Sequence, residues 1–187
     1  NKDVVRNTTY SEILWQVSTA LAYGVTGIQY FCYWTPVDSG GEYFLNAMMD
    51  SRGIKTRSWH FVEKVNRHLR KVGSYFLEAE YQGVIAYGNT LVPVPREDNL
   101  GMFGNLTHLT GDGLLIGCFR YHGCYMYYVV NTSLDESKVL ELTFSKKFRF
   151  RMLREDRESE IECDSLCEVF YEGEGILLVE QTPADPF

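Results

Sequence analysis

The sequence predicts two regions of different fold class: the last units of a (β/α)8 barrel, and after them an antiparallel β-sandwich. Within residues 10–34 a helix pattern, a tight turn and a nearly continuous apolar segment follow one another, which is the order of elements in a parallel α/β layer. After about residue 80 short β-rich segments alternate with Gly, Asn or Asp, as in sandwiches. We therefore expect residues 1–80 to form the C-terminal end of a barrel and residues 81–187 to form an accessory sandwich domain.

The first helix is predicted over residues 10–23. Thr9 and Glu12 have the spacing of a capping box, in which each side chain bonds the backbone N–H of the other residue. Apolar residues then recur at helical spacing, namely Ile13, Leu14, Val17, Ala20 and Leu21. Gly24 follows where helices commonly end in a left-handed conformation.

The segment Ile28–Trp34 is nearly continuous in apolar and aromatic residues, which predicts a strand buried on both faces of a parallel sheet. Such a strand needs hydrogen-bonded neighbours on both edges, and residues 1–82 contain no second segment of comparable character. We therefore expect an upstream, N-terminal barrel portion to pair with it. Residues 35–41 are then predicted as a loop and Asp50–Gly53 as a turn.

A second helix is predicted to begin near Thr56 and to end at Gly73. Its apolar residues share one face and are Trp59, Val62, Val65, Leu69 and Val72. Charged residues occupy the remaining positions, which indicates a solvated outer face.

Six short segments are predicted as strands of the sandwich. They are Gly83–Tyr87, Leu114–Phe119, Tyr125–Val130, Val139–Phe144, Phe148–Met152 and Ile176–Glu180. The third is apolar on both faces and is therefore expected to be central to the sandwich or to seal it against the barrel, although its tyrosines with Tyr121 could instead form a carbohydrate-binding face. The charged run Glu155–Glu162 is predicted as a soluble loop.

Charge and composition disfavour several classes of partner and site. The formal charge is −7, from 18 Lys and Arg against 25 Asp and Glu, so we expect neither a nucleic-acid nor an anionic membrane partner. No apolar run approaches the roughly 20 residues of a spanning helix. The five cysteines contain no CxxC pair and the four histidines are scattered, so we expect no metal and no cofactor.

Two passages carry a resemblance to a known family. Ser11–Val17 and Leu21–Trp34 resemble the seventh helix and eighth strand of glycoside hydrolases of the family 42 β-galactosidase type. Asp50–Thr56, followed by a helix that contains Val65 and Asn66, is similar to the passage after that strand. The resemblance covers roughly residues 9–75, and a looser one in the β region suggests the β domain appended to such barrels.

The resemblance implies a retaining glycoside hydrolase that acts on carbohydrate through two glutamates. In that family both glutamates precede the passage that this chain resembles, so the chain should lack them and should be inactive alone. The chemistry needs two carboxyl groups about 5–5.5 Å apart. The alternative is a non-catalytic carbohydrate-binding or interaction module.

Three residues are candidate substrate contacts, and none is expected to be catalytic. Trp34 ends the predicted strand, where an indole offers a flat apolar floor for a pyranose ring; the other interpretation is a core tryptophan beneath a loop. Tyr33 would then point to the opposite face and pack against a helix. Asp38 and Glu42, in the following loop, could hydrogen-bond sugar hydroxyls or could simply be solvated.

Overall fold

The computed structural model of the chain describes residues 3–36, 42–45, 47–95 and 98–181. It is 41% strand and 21% helix. The elements in chain order are β1 (Asp3–Val5), α1 (Tyr10–Ala22), β2 (Glu42–Phe44), α2 (Arg57–Glu78), β3 (Glu80–Tyr87), β4 (Leu106–Thr110), β5 (Leu114–Tyr121), β6 (Cys124–Asn131), β7 (Lys138–Leu153), β8 (Glu158–Phe170) and β9 (Gly175–Glu180).

Strands β3 to β9 form one antiparallel sheet. Its order is β3-β5-β6-β9-β7-β4, and β8 pairs with β7. The 16-residue strand β7 changes neighbours along its length: residues 141–144 pair with β4, whereas residues 150–153 pair with β9. Strand β8 follows both parts of β7. This exchange of neighbours accompanies the curling of the sheet into a half-barrel.

Both faces are buried at the centre of the sheet. Alternate residues such as Leu115 and Tyr128 pack against α1 and α2 in one apolar cluster. Their neighbours Ile116 and Tyr127 face the inside of the curl in a second cluster. Strand β6 lies between β5 and β9 and is buried on both faces, as its apolar pattern predicts, but it is central to one curled sheet and not to a sandwich.

Helix α1 confirms the capping-box prediction. The backbone N–H of Glu12 donates to Thr9 Oγ1 at 3.2 Å, and the N–H of Thr9 donates to Glu12 Oε2 at 2.7 Å. The pKa of Glu12 is lowered to about 2, first by its bond with the Arg6 side chain and then by the Thr9 N–H. Gly24 follows the helix with φ of 73°. The cap therefore begins α1 where the sequence predicts it.

Helix α2 is longer than predicted, because it continues through Gly73 to Glu78. The extra turn carries Phe76, whose ring packs edge-on against Phe119 and Tyr128 at centroid distances of 5.3 and 5.2 Å. Burial of this ring outweighs the cost of about 1 kcal/mol that glycine brings to a helix interior.

The prediction of barrel units is wrong. No (β/α)8 unit is present in the described part of the chain, whose two helices accompany a curled antiparallel sheet. Ile28–Cys32 is irregular rather than a strand, and Trp34 makes an isolated parallel bridge with Met49. The segment also exposes its large rings, with Phe31 83% and Tyr33 55% exposed. An apolar run forms a buried strand when hydrogen-bonded strands flank it. Here the backbone partner is the segment 47–49, which meets it in an isolated bridge and not in a strand.

The prediction of a sandwich is also wrong, because one sheet curls and the helices cover its outer face. The predicted segments Val139–Phe144 and Phe148–Met152 are two parts of β7, and β4 was not predicted. Within the acidic run, residues 158–162 belong to β8 instead of a loop. The helices and the sheet share an apolar cluster. The division at residues 80 and 81 coincides with the passage from α2 to β3, and its status as a domain boundary stays a prediction.

Candidate functional site

The structure describes one of the three predicted substrate contacts completely. Trp34 lies in the connection between α1 and α2 and is 46% exposed. The backbone of Glu42 opens the short strand β2, which pairs in parallel with β1. Asp38 lies outside the described residues. The candidate site is therefore built around Trp34 and the residues that hold it.

Backbone hydrogen bonds fix the segment that carries Trp34. The N–H of Met49 donates to the carbonyl of Tyr33 at 2.8 Å, and the N–H of Thr35 donates to the carbonyl of Met49 at 2.9 Å. Thr35 Oγ1 adds a bond to the same carbonyl at 2.7 Å and accepts from the N–H of Ala47 at 2.9 Å. These bonds tie the segment to residues 47–49 on both sides of Trp34, so the indole is presented from a defined backbone.

The indole of Trp34 rests on the turn that the sequence predicts at residues 50–53. A Cβ built on Gly53 would lie 3.5 Å from Trp34 Cη2, and Gly53 has φ of 81°, a conformation that glycine adopts without strain. The six-membered ring thus lies close to the turn, and nearly half of the side chain stays accessible. This arrangement exposes apolar ring surface instead of burying it.

Asp50 closes that turn. Its Oδ1 accepts from the backbone N–H groups of Ile54 at 2.8 Å and of Arg52 at 2.9 Å, and its Oδ2 accepts from Arg52 Nη2 at 3.0 Å. The bond from Ile54, followed by the bonds from Arg52, holds the pKa of Asp50 below its usual range. The carboxylate is therefore committed to the turn.

Beside Trp34, a second group of rings lines an open cavity of about 390 Å³. We call this cavity the aromatic pocket. Its residues are Tyr30, Tyr33, Met48, Trp59, Val62, Glu63, Asn66 and Arg70. The rings of Tyr33 and Trp59 meet edge-on at 5.9 Å, so Tyr33 contacts a helix as predicted, although no strand places it there.

The polar groups of the aromatic pocket come from α2. Tyr30 Oη donates to Asn66 Oδ1 at 3.0 Å, and partial burial raises the pKa of Tyr30. Lys55 Nζ lies 4.4 Å above the ring of Trp59. The buried Nε1 of Trp59 has no hydrogen-bond partner among the described residues.

Sequence reasoning missed the aromatic pocket. It assigned Trp59 to the apolar face of a helix and placed Asn66 only within a family resemblance. The signal that remained is the helical spacing of Trp59, Glu63, Asn66 and Arg70, which puts one aromatic and three polar residues on one stripe. The two tyrosines that complete the pocket lie about 30 residues earlier, so no local pattern could add them.

Two other groups of side chains have structural explanations. Tyr127 and Tyr128 are 0% exposed, so they fill the core and cannot form a carbohydrate-binding face. The buried pair Arg154 and Glu174 is joined by bonds of 2.9 and 2.6 Å, and Glu174 also accepts from the N–H of Tyr171. Both oxygens of this carboxylate are therefore occupied in holding the β7–β8 and β8–β9 turns together.

No group of three or more His, Cys, Asp or Glu side chains in the described ranges could hold a metal ion. The five cysteines are free thiols. Among the described helices, neither is long and apolar enough to cross a membrane.

Comparison of the chain with protein-family models, curated proteins and solved structures found no match. The functional argument therefore depends on the residues and on the geometry around Trp34.

Proposed function

We propose that this chain is part of a retaining, β-galactosidase-like glycoside hydrolase and that it contributes a sugar-binding surface centred on Trp34. The two catalytic glutamates would lie upstream of this chain. The ground for the enzyme class is the sequence resemblance of residues 9–75 alone, since these residues form no barrel unit. The exposure of Trp34 supports the sugar contact.

The observation that carries the proposal is the position of the indole. Trp34 is 46% exposed, yet its backbone is hydrogen-bonded on both sides to residues 47–49. A rigid, accessible aromatic face suits the apolar face of a pyranose ring, and contacts of this kind contribute on the order of 1 kcal/mol. Little ordering is needed on binding, because the turn below Trp34 already positions the ring.

The proposed division of labour follows from the chemistry. Retaining hydrolysis needs a nucleophilic carboxylate and a protonated acid about 5–5.5 Å apart, on either side of the glycosidic bond. Trp34 can orient a sugar ring but can neither donate the proton nor attack the anomeric carbon. We therefore expect the 187-residue chain to bind sugar without hydrolysing it.

A non-catalytic carbohydrate-binding module is the second candidate. The observation in its favour is that Trp34, its backbone partners and the turn beneath it all belong to this chain. A surface assembled in this way could bind sugar without a catalytic partner. The coding sequence upstream of Asn1 separates the two candidates, because the hydrolase requires two glutamates there and the module requires none.

The sugar contact is tested by calorimetric titration of the Trp59→Ala form of the full chain with galactose and lactose, so that binding at Trp34 is measured without a contribution from Trp59. Trp34→Ala should weaken binding about five- to tenfold, since 1–1.4 kcal/mol corresponds to that range. The matched control is Tyr87→Ala, which removes a partly exposed ring from β3. Unchanged affinity in the folded Trp34 variant would overturn the proposed contact.

The catalytic part is tested with a nitrophenyl galactoside. The chain alone should release no nitrophenol. Turnover by the chain that disappears on substitution of Glu42 or Asp38 would contradict the proposal that the catalytic carboxylates lie elsewhere.

A further inference from the structure

We infer that the aromatic pocket is a second binding site, separate from Trp34, and that it takes a neutral hexopyranose. The inference rests on the proposed function in that both sites would take sugar. The aromatic pocket is lined by residues other than Trp34, so either site can be disproved without the other.

The shape of the aromatic pocket fits a single sugar ring. Its volume of about 390 Å³ lies within the range of roughly 300–1,000 Å³ that small-molecule sites occupy. Tyr30 and Tyr33 line it from the connection after α1, and Trp59 lines it from α2. Apolar ring surface therefore comes from two different elements, and it can contact the apolar face of a pyranose.

The polar groups lie along one edge of the pocket. Glu63, Asn66 and Arg70 are spaced three and four residues apart on α2, which places them on one stripe of the helix. The bond from Tyr30 Oη to Asn66 Oδ1 at 3.0 Å fixes the amide, so that its NH₂ group is the part left to donate. The stripe thus offers three groups in succession: the Glu63 carboxylate as an acceptor, the fixed Asn66 NH₂ group as a donor and the Arg70 guanidinium as a charged donor.

The charges of this stripe are balanced. Arg70 makes no ion pair with any described residue, and the nearest ionic contact of Glu63 is His60 at 3.8 Å. The lining itself holds one carboxylate and one guanidinium, and it therefore favours neither an anion nor a cation, although Lys55 Nζ lies 4.4 Å from the ring of Trp59. A hydroxyl group both donates and accepts, so a neutral polyol can satisfy Glu63 and Arg70 together.

The aromatic pocket also contains an unused donor. Trp59 Nε1 is buried and has no hydrogen-bond partner among the described residues. A buried donor without a partner is costly, and a ligand oxygen bonded to this N–H would remove that cost. Trp34 is not among the residues that line this pocket, whereas the neighbouring Tyr33 lines it and meets Trp59.

The test uses the three tryptophan indole N–H signals of the ¹⁵N-labelled full chain, assigned with Trp→Phe variants. Galactose should shift the Trp59 signal saturably, and this shift should persist in Trp34→Ala. The Trp15 signal is the internal control, since Trp15 lies on α1 and lines neither site. A Trp59 signal that does not move with galactose overturns the pocket.

Arg70→Ala should weaken the affinity reported by Trp59 about tenfold, as expected for a lost hydrogen bond from a charged group. The matched control is Arg67→Ala, one turn earlier on α2 and outside the aromatic pocket, and it should leave that affinity unchanged. Equal effects of the two variants would overturn the assignment of Arg70. Galacturonate that binds markedly tighter than galactose would overturn the neutral ligand class.

The same titration separates the two proposals. A shift of the Trp34 signal alone supports the proposed function and overturns the pocket. A shift of the Trp59 signal alone supports the pocket and overturns the Trp34 contact. Signals that all stay unmoved overturn both.

Discussion

Strand β6 and the segment Ile28–Trp34 have similar compositions and opposite environments. Both are short runs of apolar and aromatic residues. In β6, Tyr127 and Tyr128 are 0% exposed and both faces are covered. In the second segment, Phe31, Tyr33 and Trp34 are 83%, 55% and 46% exposed. The same kind of sequence therefore builds a core in one place and an accessible surface in the other.

The difference lies in the partners. β6 is flanked by β5 and β9, which pair with it over most of its length, so its backbone groups are satisfied and its side chains meet neighbours on both faces. The segment Ile28–Trp34 has residues 47–49 on one side and makes an isolated bridge there. An aromatic run stays accessible when its backbone is held in place but no element packs over its rings.

The largest expected effect compares one ring from each region. Tyr128→Ala should lower the free energy of unfolding by about 3–5 kcal/mol, because it removes a fully buried aromatic ring that packs against Phe76. Trp34→Ala should cost about 1 kcal/mol or less, since much of its indole is already in water. Urea denaturation of both variants measures the difference. Equal losses of unfolding free energy would mean that Trp34 is a core residue, which would contradict the difference in environment between the two segments.

The next effect depends on pH and compares two histidines of α2. Burial lowers the pKa of His68 from 6.5 to about 4, with Lys71 lowering it further and Glu155 opposing. The unfolded chain therefore binds the proton first, so stability should fall as pH drops from 6.5 towards 4, by about 3 kcal/mol in total. Thermal or urea unfolding across this range measures the loss.

His68→Leu should flatten this pH dependence, whereas His60→Leu, at an exposed position of the same helix, should leave it unchanged. Subtracting the variant curve from the wild-type curve removes the contribution of carboxylates that titrate in the same range. A difference curve without slope would show that His68 has the same proton affinity in the folded and unfolded chains, which would contradict the lowered pKa.

A smaller effect concerns the contact between the sheet and α1. A Cβ built on Gly117 of β5 would lie 2.4 Å from the carbonyl oxygen and 2.7 Å from the Cα of Ala22, and backbone cannot move aside as a side chain can. Gly117→Ala should therefore lower the unfolding free energy by about 1–3 kcal/mol. Wild-type stability in this variant would show that α1 is not seated on β5 as described.

The smallest effect has the opposite sign. Gly73 lies inside α2 and a Cβ there would meet no atom within 4 Å. Gly73→Ala should raise the unfolding free energy by about 0.5–1 kcal/mol, because alanine is the better helix former. A loss of stability would place the end of the helix at Gly73, where the sequence pattern predicts it.

The parts of the fold that the sequence predicts are those with local signals. The capping box of Thr9 and Glu12 begins α1, and all six predicted β segments fall within observed strands, two of them within β7. Strand β8 was missed although Glu158, Glu160 and Glu162 alternate with half-buried residues. The acidic residues hid that alternation, because an acidic run is typical of a soluble loop. In the structure these glutamates form ion pairs with Arg149 and Arg151 of β7, which explains why they occur in a strand.

By itself the sequence determined the strongest local elements, the apolar alternation of the central strands, the turn at Asp50 and the presence of Trp34 as a candidate contact. Only the tertiary structure decided that one sheet curls, that α2 passes Gly73, and that Tyr30 and Tyr33 meet Trp59 and Asn66 in a pocket. The physical reason is that caps, turns and alternation arise from neighbouring residues, whereas burial depends on which distant segments cover a surface. An apolar run carries the same transfer free energy in every chain, and the fold determines whether that free energy is realised in a core or left at an accessible face.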